Sequence, residues 1–221
     1  MLILTVRVGD DQLIVLCGRL TGERRLVSAR AGVNGAPAWS PDGKSLALTL
    51  GGSGGNPDIY VLDLATQDLT RLTDDPAIDT EPAWAPDGRS LYFTSDRAGS
   101  PQIYQVPIQS GAHPKRITFT GNYNARPQVS PDGTQLAMVT LDNGKYRIAL
   151  QDLSSGAVHV LSHGRLDESP SFAPNGATLI YSEREGDRGA LATVSTDGLT
   201  GVRLKSTEGE IREPAWGPFG P

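Results

Sequence analysis

Residues 51–55 read GGSGG, which satisfies the G-x-S-x-G pattern of serine hydrolases. That chemistry needs a strained strand-to-helix elbow beneath the serine, with a histidine and an acid to activate it. Here the segment joins two β-rich runs, where a flexible glycine tip suffices, so no catalytic role is expected. His113, His159 and His163 lack the close pairing of a zinc site and read as surface residues. Asp96 and Arg97, in TSDRAG, read as loop-ordering residues, because Asp bonds nearby backbone and Gly99 accepts a positive φ. Asp142, in DNGK, lacks the spaced carboxylates of a calcium loop. Tyr60, Tyr104 and Tyr181 recur at strand positions and read as packing residues. The chain is expected not to be an enzyme.

A second set of residues offers binding chemistry. They stand just before five prolines, Pro37, Pro82, Pro127, Pro170 and Pro214. One step before them are Ala36, Glu81, Arg126, Ser169 and Glu213. Two steps before are Gly35, Thr80, Ala125, Glu168 and Arg212, and three steps before are Asn34, Asp79, Asn124, Asp167 and Ile211. The carboxylates in this set would receive a partner's Lys, Arg or backbone N–H groups. Their oxygens could also hold a hard cation such as calcium weakly, although no cofactor is required. The competing reading is that loop acids are solvated, or pair with Arg126 and Arg212.

A repeat places these residues. PAWSPDGKSLALTL begins at Pro37, PAWAPDGRSLYFTS at Pro82, PQVSPDGTQLAMVT at Pro127 and PSFAPNGATLIYSE at Pro170. PAWGPFGP begins at Pro214, and the steps are 45, 45, 43 and 44 residues. Such a period with several short strands per repeat is the signature of propeller blades, each a four-stranded antiparallel sheet. Trp39, Trp84, Val129, Phe172 and Trp216 supply bulk between blades. Pro-Asp-Gly or Pro-Asn-Gly turns the first strand into the second. Third strands are expected at 59–62, 103–106, 148–150 and 191–194. Fourth strands are expected at 70–73, 115–118, 159–162 and 202–205. Residues 2–5, 13–16 and 24–27 read as second, third and fourth strands without a first; residues 214–218 read as a first strand alone. The expectation is therefore an all-β propeller of five blades, a single domain over residues 1–221, its closing blade shared by both termini.

Bulk properties agree and exclude other classes. Gly 26 and Pro 16 call for many turns, and no window shows helical periodicity. The net charge of −5 and scattered basic residues exclude a nucleic-acid footprint. The apolar start MLILTV meets Arg7 too early for a signal-peptide core or membrane span, so neither export signal nor membrane insertion is expected. The single Cys17 excludes an internal disulfide and reads as a packing residue.

The motifs NGAPAWSPDGKSLAL, DIYVLDLATQDLTRLTDD, DTEPAWAPDGRSLYFTSDRAGSPQIYQV, RITFTGNYNARPQVSPDG, LDESPSFAPNGATLIYS and REPAWGPFGP resemble the TolB β-propeller family of the Tol–Pal envelope system. The resemblance runs from about residue 12 to the end. It implies a non-enzymatic, periplasmic, monomeric binding propeller with WD40-like repeats. The mouth of its channel would take the Pal lipoprotein, or colicin peptides that mimic Pal. It carries most closely onto Asn34, Gly35 and Ala36, onto Thr80 and Glu81, and onto Asp167 and Glu168. TolB-like proteins usually have six blades, preceded by a signal peptide, a TolA-binding segment and a small α/β domain. TolA binding is therefore not carried over. Two alternatives remain, a scaffold or gating propeller of a peptidase-type system and a metal-dependent, lactonase-like propeller.

Overall fold

The computed structural model describes the chain apart from residues 1, 9–10, 19–20, 31, 53–54, 186–187, 205–212 and 217–221. All described regular structure is β. The chain forms two compact units, Met1–Ser100 with Tyr104–Arg116, and Pro101–Ile103 with Ile117–Pro221.

The first unit opens with a three-stranded antiparallel sheet of β1 (Leu2–Val8), β2 (Asp11–Cys17) and β3 (Arg24–Ser28). A four-stranded sheet follows in sequential order: β4 (Val33–Trp39), β5 (Ser45–Gly51), β6 (Asp58–Asp63) and β7 (Leu69–Arg71). The next is β8 (Asp79–Trp84), β9 (Ser90–Ser95), β10 (Gln102–Pro107) and β11 (Lys115–Arg116). The second unit repeats the plan twice. Its first blade is β12 (Asn124–Val129), β13 (Gln135–Asp142), β14 (Lys145–Asp152) and β15 (Val158–Val160). Its second is β16 (Leu166–Phe172), β17 (Thr178–Glu185), β18 (Arg188–Ser195) and β19 (Gly201–Leu204). A single parallel bridge, Tyr146↔Leu166, joins these two blades.

The turn chemistry explains the spacing. Gly43, Gly88, Gly133 and Gly176 take φ of 70–75°, and their N–H groups close the turn onto Ser40, Ala85, Ser130 and Ala173 carbonyls at 2.8–2.9 Å. Only glycine enters that left-handed region without strain. The side chains of Asp42, Asp87, Asp132 and Asn175 accept the N–H two residues on, at 2.9–3.1 Å. These bonds start each second strand in phase, which buries Leu46, Leu91, Leu136 and Leu179 completely. Full burial of such a side chain stabilises by about 1.5–3 kcal/mol.

Successive sheets are held by apolar clusters within each unit. Trp39 packs with Ile14, Leu16, Leu46 and Leu48. Trp84 packs with Phe93 and Leu72, and its indole N–H donates to the Ala38 carbonyl at 3.1 Å. Phe172 packs with the second unit's cluster of Val139, Ile148, Leu161 and Leu179. The expected inter-blade role therefore holds for these three aromatics. It does not hold for Trp216, which is 42% exposed. Residues 214–216 form no strand, and the Trp216 backbone N–H donates to Ser171 Oγ at 3.3 Å. Among the described residues there are thus four complete blades and one sheet of three strands. The expected closing strand is not formed there, because the Pro-Ala-Trp pattern becomes a strand only on a ladder partner.

Candidate docking rim

Each first strand carries a bulge at its proline. Register shifts between Gly35 and Ala38, Thr80 and Ala83, Ala125 and Gln128, and Glu168 and Ser171. Proline has no N–H for the ladder, so an extra residue is accommodated there. The residue in front takes up the slack in the left-handed region. Ala36, Glu81, Arg126, Ser169 and Glu213 have φ of 44°, 56°, 55°, 56° and 50°. No glycine holds any of the five positions, so each carries strain. Glu213 shares this geometry although its segment has no ladder.

The bulge sorts the sequence-predicted residues into two levels. Asn34, Asp79, Asn124 and Asp167 lie beneath the rim, each with zero exposure. The expectation that they face a partner is corrected for a simple reason: their polar atoms are turned onto the chain itself. Asn34 accepts Ser28 O–H at 2.6 Å and Arg30 N–H at 3.2 Å, and donates to the Arg30 carbonyl at 2.6 Å. Asp79 is ion-paired to Arg97 at 2.7 Å. That guanidinium also bonds Ser95 and stacks over Phe93 and Tyr104. Asn124 donates to Gln102 Oε1 at 3.0 Å and to the Thr120 carbonyl at 2.8 Å. Asp167 accepts Ser162 O–H at 2.5 Å and Gly164 N–H at 3.0 Å. Burial pushes the Asp167 carboxyl above the usual carboxylate range, against those two hydrogen bonds.

The upper level is accessible. Gly35, Ala36, Thr80, Glu81, Arg126, Glu168 and Ser169 are half-buried, and Glu213 is exposed. Arg212 lies outside the described residues. In the first unit the Glu81 N–H donates to Thr49 Oγ1 at 3.2 Å, and its carboxylate accepts Thr94 O–H at 3.1 Å. In the second unit Arg126 donates to Ser169 Oγ at 2.5 Å, which links the first strands of neighbouring blades. Each unit thus presents polar side chains held by hydrogen bonds, a surface suited to recognising N–H groups and charges.

No group of three or more His, Cys, Asp or Glu among the described residues is arranged to hold a metal ion. Of the aligned residues that suggested a cation site, Asn34 and Asp167 accept hydroxyl and backbone N–H donors, Asp79 pairs with the Arg97 guanidinium and Asn124 donates to two carbonyl oxygens. One buried oxygen each of Asp79, Asn124 and Asp167 has no hydrogen-bond partner among the described residues. His113, His159 and His163 are exposed. Ser53, the serine of the hydrolase-like pattern, lies outside the described residues.

Sequence reasoning missed a supporting set. Ser28, Thr73, Thr118 and Ser162 end the outer-strand segments and are buried, at steps of 45, 45 and 44 residues. Thr73, Thr118 and Ser162 accept the N–H of Ile59, Ile103 and Ile148 at 2.8–3.0 Å. Ser28 and Ser162 donate directly to Asn34 and Asp167, while Thr118 reaches Asn124 through Gln102. The equal spacing was the available signal.

The TolB beta propeller domain family (PD40) matches residues 9–220. The chain belongs to the TolB β-propeller family. A Tol-Pal system protein TolB of Alcanivorax borkumensis is 56% identical over 199 residues, which cover 90% of this chain and 45% of that protein. The TolB of Methylobacillus flagellatus is 59% identical over 78 residues, 35% of this chain and 18% of that one. The crystal structure of TolB from Acinetobacter baumannii superposes with a TM-score of 0.87 at 46% identity, covering 95% of this chain and 53% of that chain. The chain therefore spans less than half the length of these two curated TolB relatives.

Proposed function

We propose that this TolB-family propeller is a protein-binding module without catalysis, which captures a Pal-type lipoprotein or peptide at its pre-proline rim. The observation that carries this reading is the repeated left-handed residue before each proline. A strained backbone retained in five repeats without glycine holds a half-buried side chain in one direction at four of them. Strain of this kind concentrates where proteins clamp ligands. The rim's mixture of Glu, Thr, Arg and Ser suits recognition by hydrogen bonds and charge. Family membership supports action in the periplasm, where Tol–Pal partners would be met.

The test is calorimetric titration with the soluble domain of a Pal-type lipoprotein. Thr80→Ala and Glu81→Ala are each expected to weaken capture about tenfold, with little change in melting temperature. Affinity equal to that of the unaltered protein would count against the siting.

A further inference from the structure

Next to the β8 rim, the first unit has an open cleft of about 370 Å³. Leu50, Tyr60 and Pro76 supply apolar lining, and Gly51, Gly52 and Gly55 line it without side chains. A Cβ placed on Gly52 would meet no atom of the described residues within 4 Å. At its floor Asp58 is ion-paired with Arg71 at 2.6 Å, so these two charges offset one another. Asp74 and Asp75 at the edge are not offset in this way. Asp74 is exposed, and Asp75 spends one oxygen on the Ala77 N–H at 2.9 Å. The cleft joins the rim through the backbone, because the Pro57 carbonyl accepts the Asp79 N–H at 3.0 Å. Ile78 stands between them, 47% exposed.

We propose that this cleft receives a lysine or arginine side chain of the docked partner protein. An aliphatic stem would lie along Leu50, Tyr60 and Pro76, with its charged head at Asp74 and Asp75. The Tyr60 ring adds an electron-rich surface for that cation. An apolar neighbour in the same partner segment covers Ile78. Anionic side chains are disfavoured by the two uncompensated carboxylates, which is what selects the occupant. The identity of the guest as part of a protein rests on the docking reading above; the chemistry of the cleft does not.

The experiment is amide NMR titration of the full chain with the peptide acetyl-Ala-Lys-Ala-Leu-amide. Its norleucine and glutamate counterparts serve as controls. The lysine peptide is expected to shift the Gly51, Gly52 and Gly55 amides saturably, several-fold more tightly than norleucine, and the glutamate peptide not at all. Gly52→Leu should fill the cleft and abolish these shifts. Asp74→Asn, at a residue with no hydrogen bond among those described, should weaken binding roughly threefold. Equal binding of the lysine and norleucine peptides, or unchanged binding by Gly52→Leu, overturns the proposal. The peptide needs only the cleft whereas Pal-type capture needs the rim, so the two readings fail separately.

Discussion

Replacing Ala36 by glycine should stabilise the first unit, the reverse of what this substitution does in an ordinary strand. Ala36 sits at φ 44°. A non-glycine residue there costs about 1–2 kcal/mol. Glycine removes that strain but frees the unfolded chain, which returns about 0.4–1 kcal/mol to the unfolded state. The net gain is on the order of 0.5–1 kcal/mol, or roughly 1–4 °C in melting temperature for a chain of this size. Ala38, two residues on, provides the control. It pairs with Ala47, packs on the Phe93 cluster and has an ordinary backbone, so Ala38→Gly should lose about 1 kcal/mol. Thermal unfolding followed by far-UV circular dichroism reads both. Should the two variants shift the transition in the same downward direction, the bulge would not be strained and the geometry of the rim would lose its explanation.

Four further substitutions test the level beneath the rim and the packing between blades. Gly164→Ala should destabilise the second unit in chemical denaturation, because its Cβ would collide with the Asp167 carboxylate; unchanged stability would mean that the carboxylate has room to move. Asp79→Asn should cost about 3 kcal/mol by leaving Arg97 unpaired, whereas Asp167→Asn should gain about 1 kcal/mol at neutral pH, since Asn already serves at 34 and 124. The raised Asp167 carboxyl makes the folded state bind a proton more readily, so wild-type stability falls as pH rises from the ordinary value of 3.8 through the folded one. The Asp167→Asn advantage must therefore grow across that window and vanish below it, as melting temperatures measured against pH would show. Trp84→Phe should lose about 1 kcal/mol in thermal unfolding by removing the donor to the Ala38 carbonyl.

The parts of the fold governed by local chemistry could be read from the chain. Pro-Asp-Gly announces its turn because every bond it makes lies within a few residues, and the four described turns follow that chemistry. Trp39 and Trp84 were legible because an aromatic at a fixed place in each repeat has one obvious use. The level of Asn34, Asp79, Asn124 and Asp167 was not legible. A polar residue ahead of a strand looks the same whether its oxygen meets water or Ser162, and only the folded connection decides. The left-handed residues gave no sign either, since Ala36, Glu81, Arg126 and Ser169 are not types that favour positive φ. Residues 214–216 show the opposite error: the pattern was expected to supply the first strand of a blade shared with residues 2–5, 13–16 and 24–27, and no strand forms there.

Comparison among the repeats of this one chain separates structure from recognition. Three residues before the proline, the four described repeats use only Asn or Asp, each fully buried. An oxygen accepts a buried donor in two of them, Asn34 and Asp167, and balances a guanidinium in a third, Asp79, while Asn124 donates its amide to two carbonyl oxygens. Larger or apolar residues would leave those donors unpaired. One residue before the proline, the chain uses Ala, Glu, Arg, Ser and Glu on nearly the same backbone. The backbone is set by the bulge and the proline, so the side chain there is released from any structural requirement of type. A position whose direction is fixed while its chemistry varies is how one repeated scaffold writes a specific surface. The level beneath holds the bulge in shape, and the level above it varies in chemistry on a nearly constant backbone.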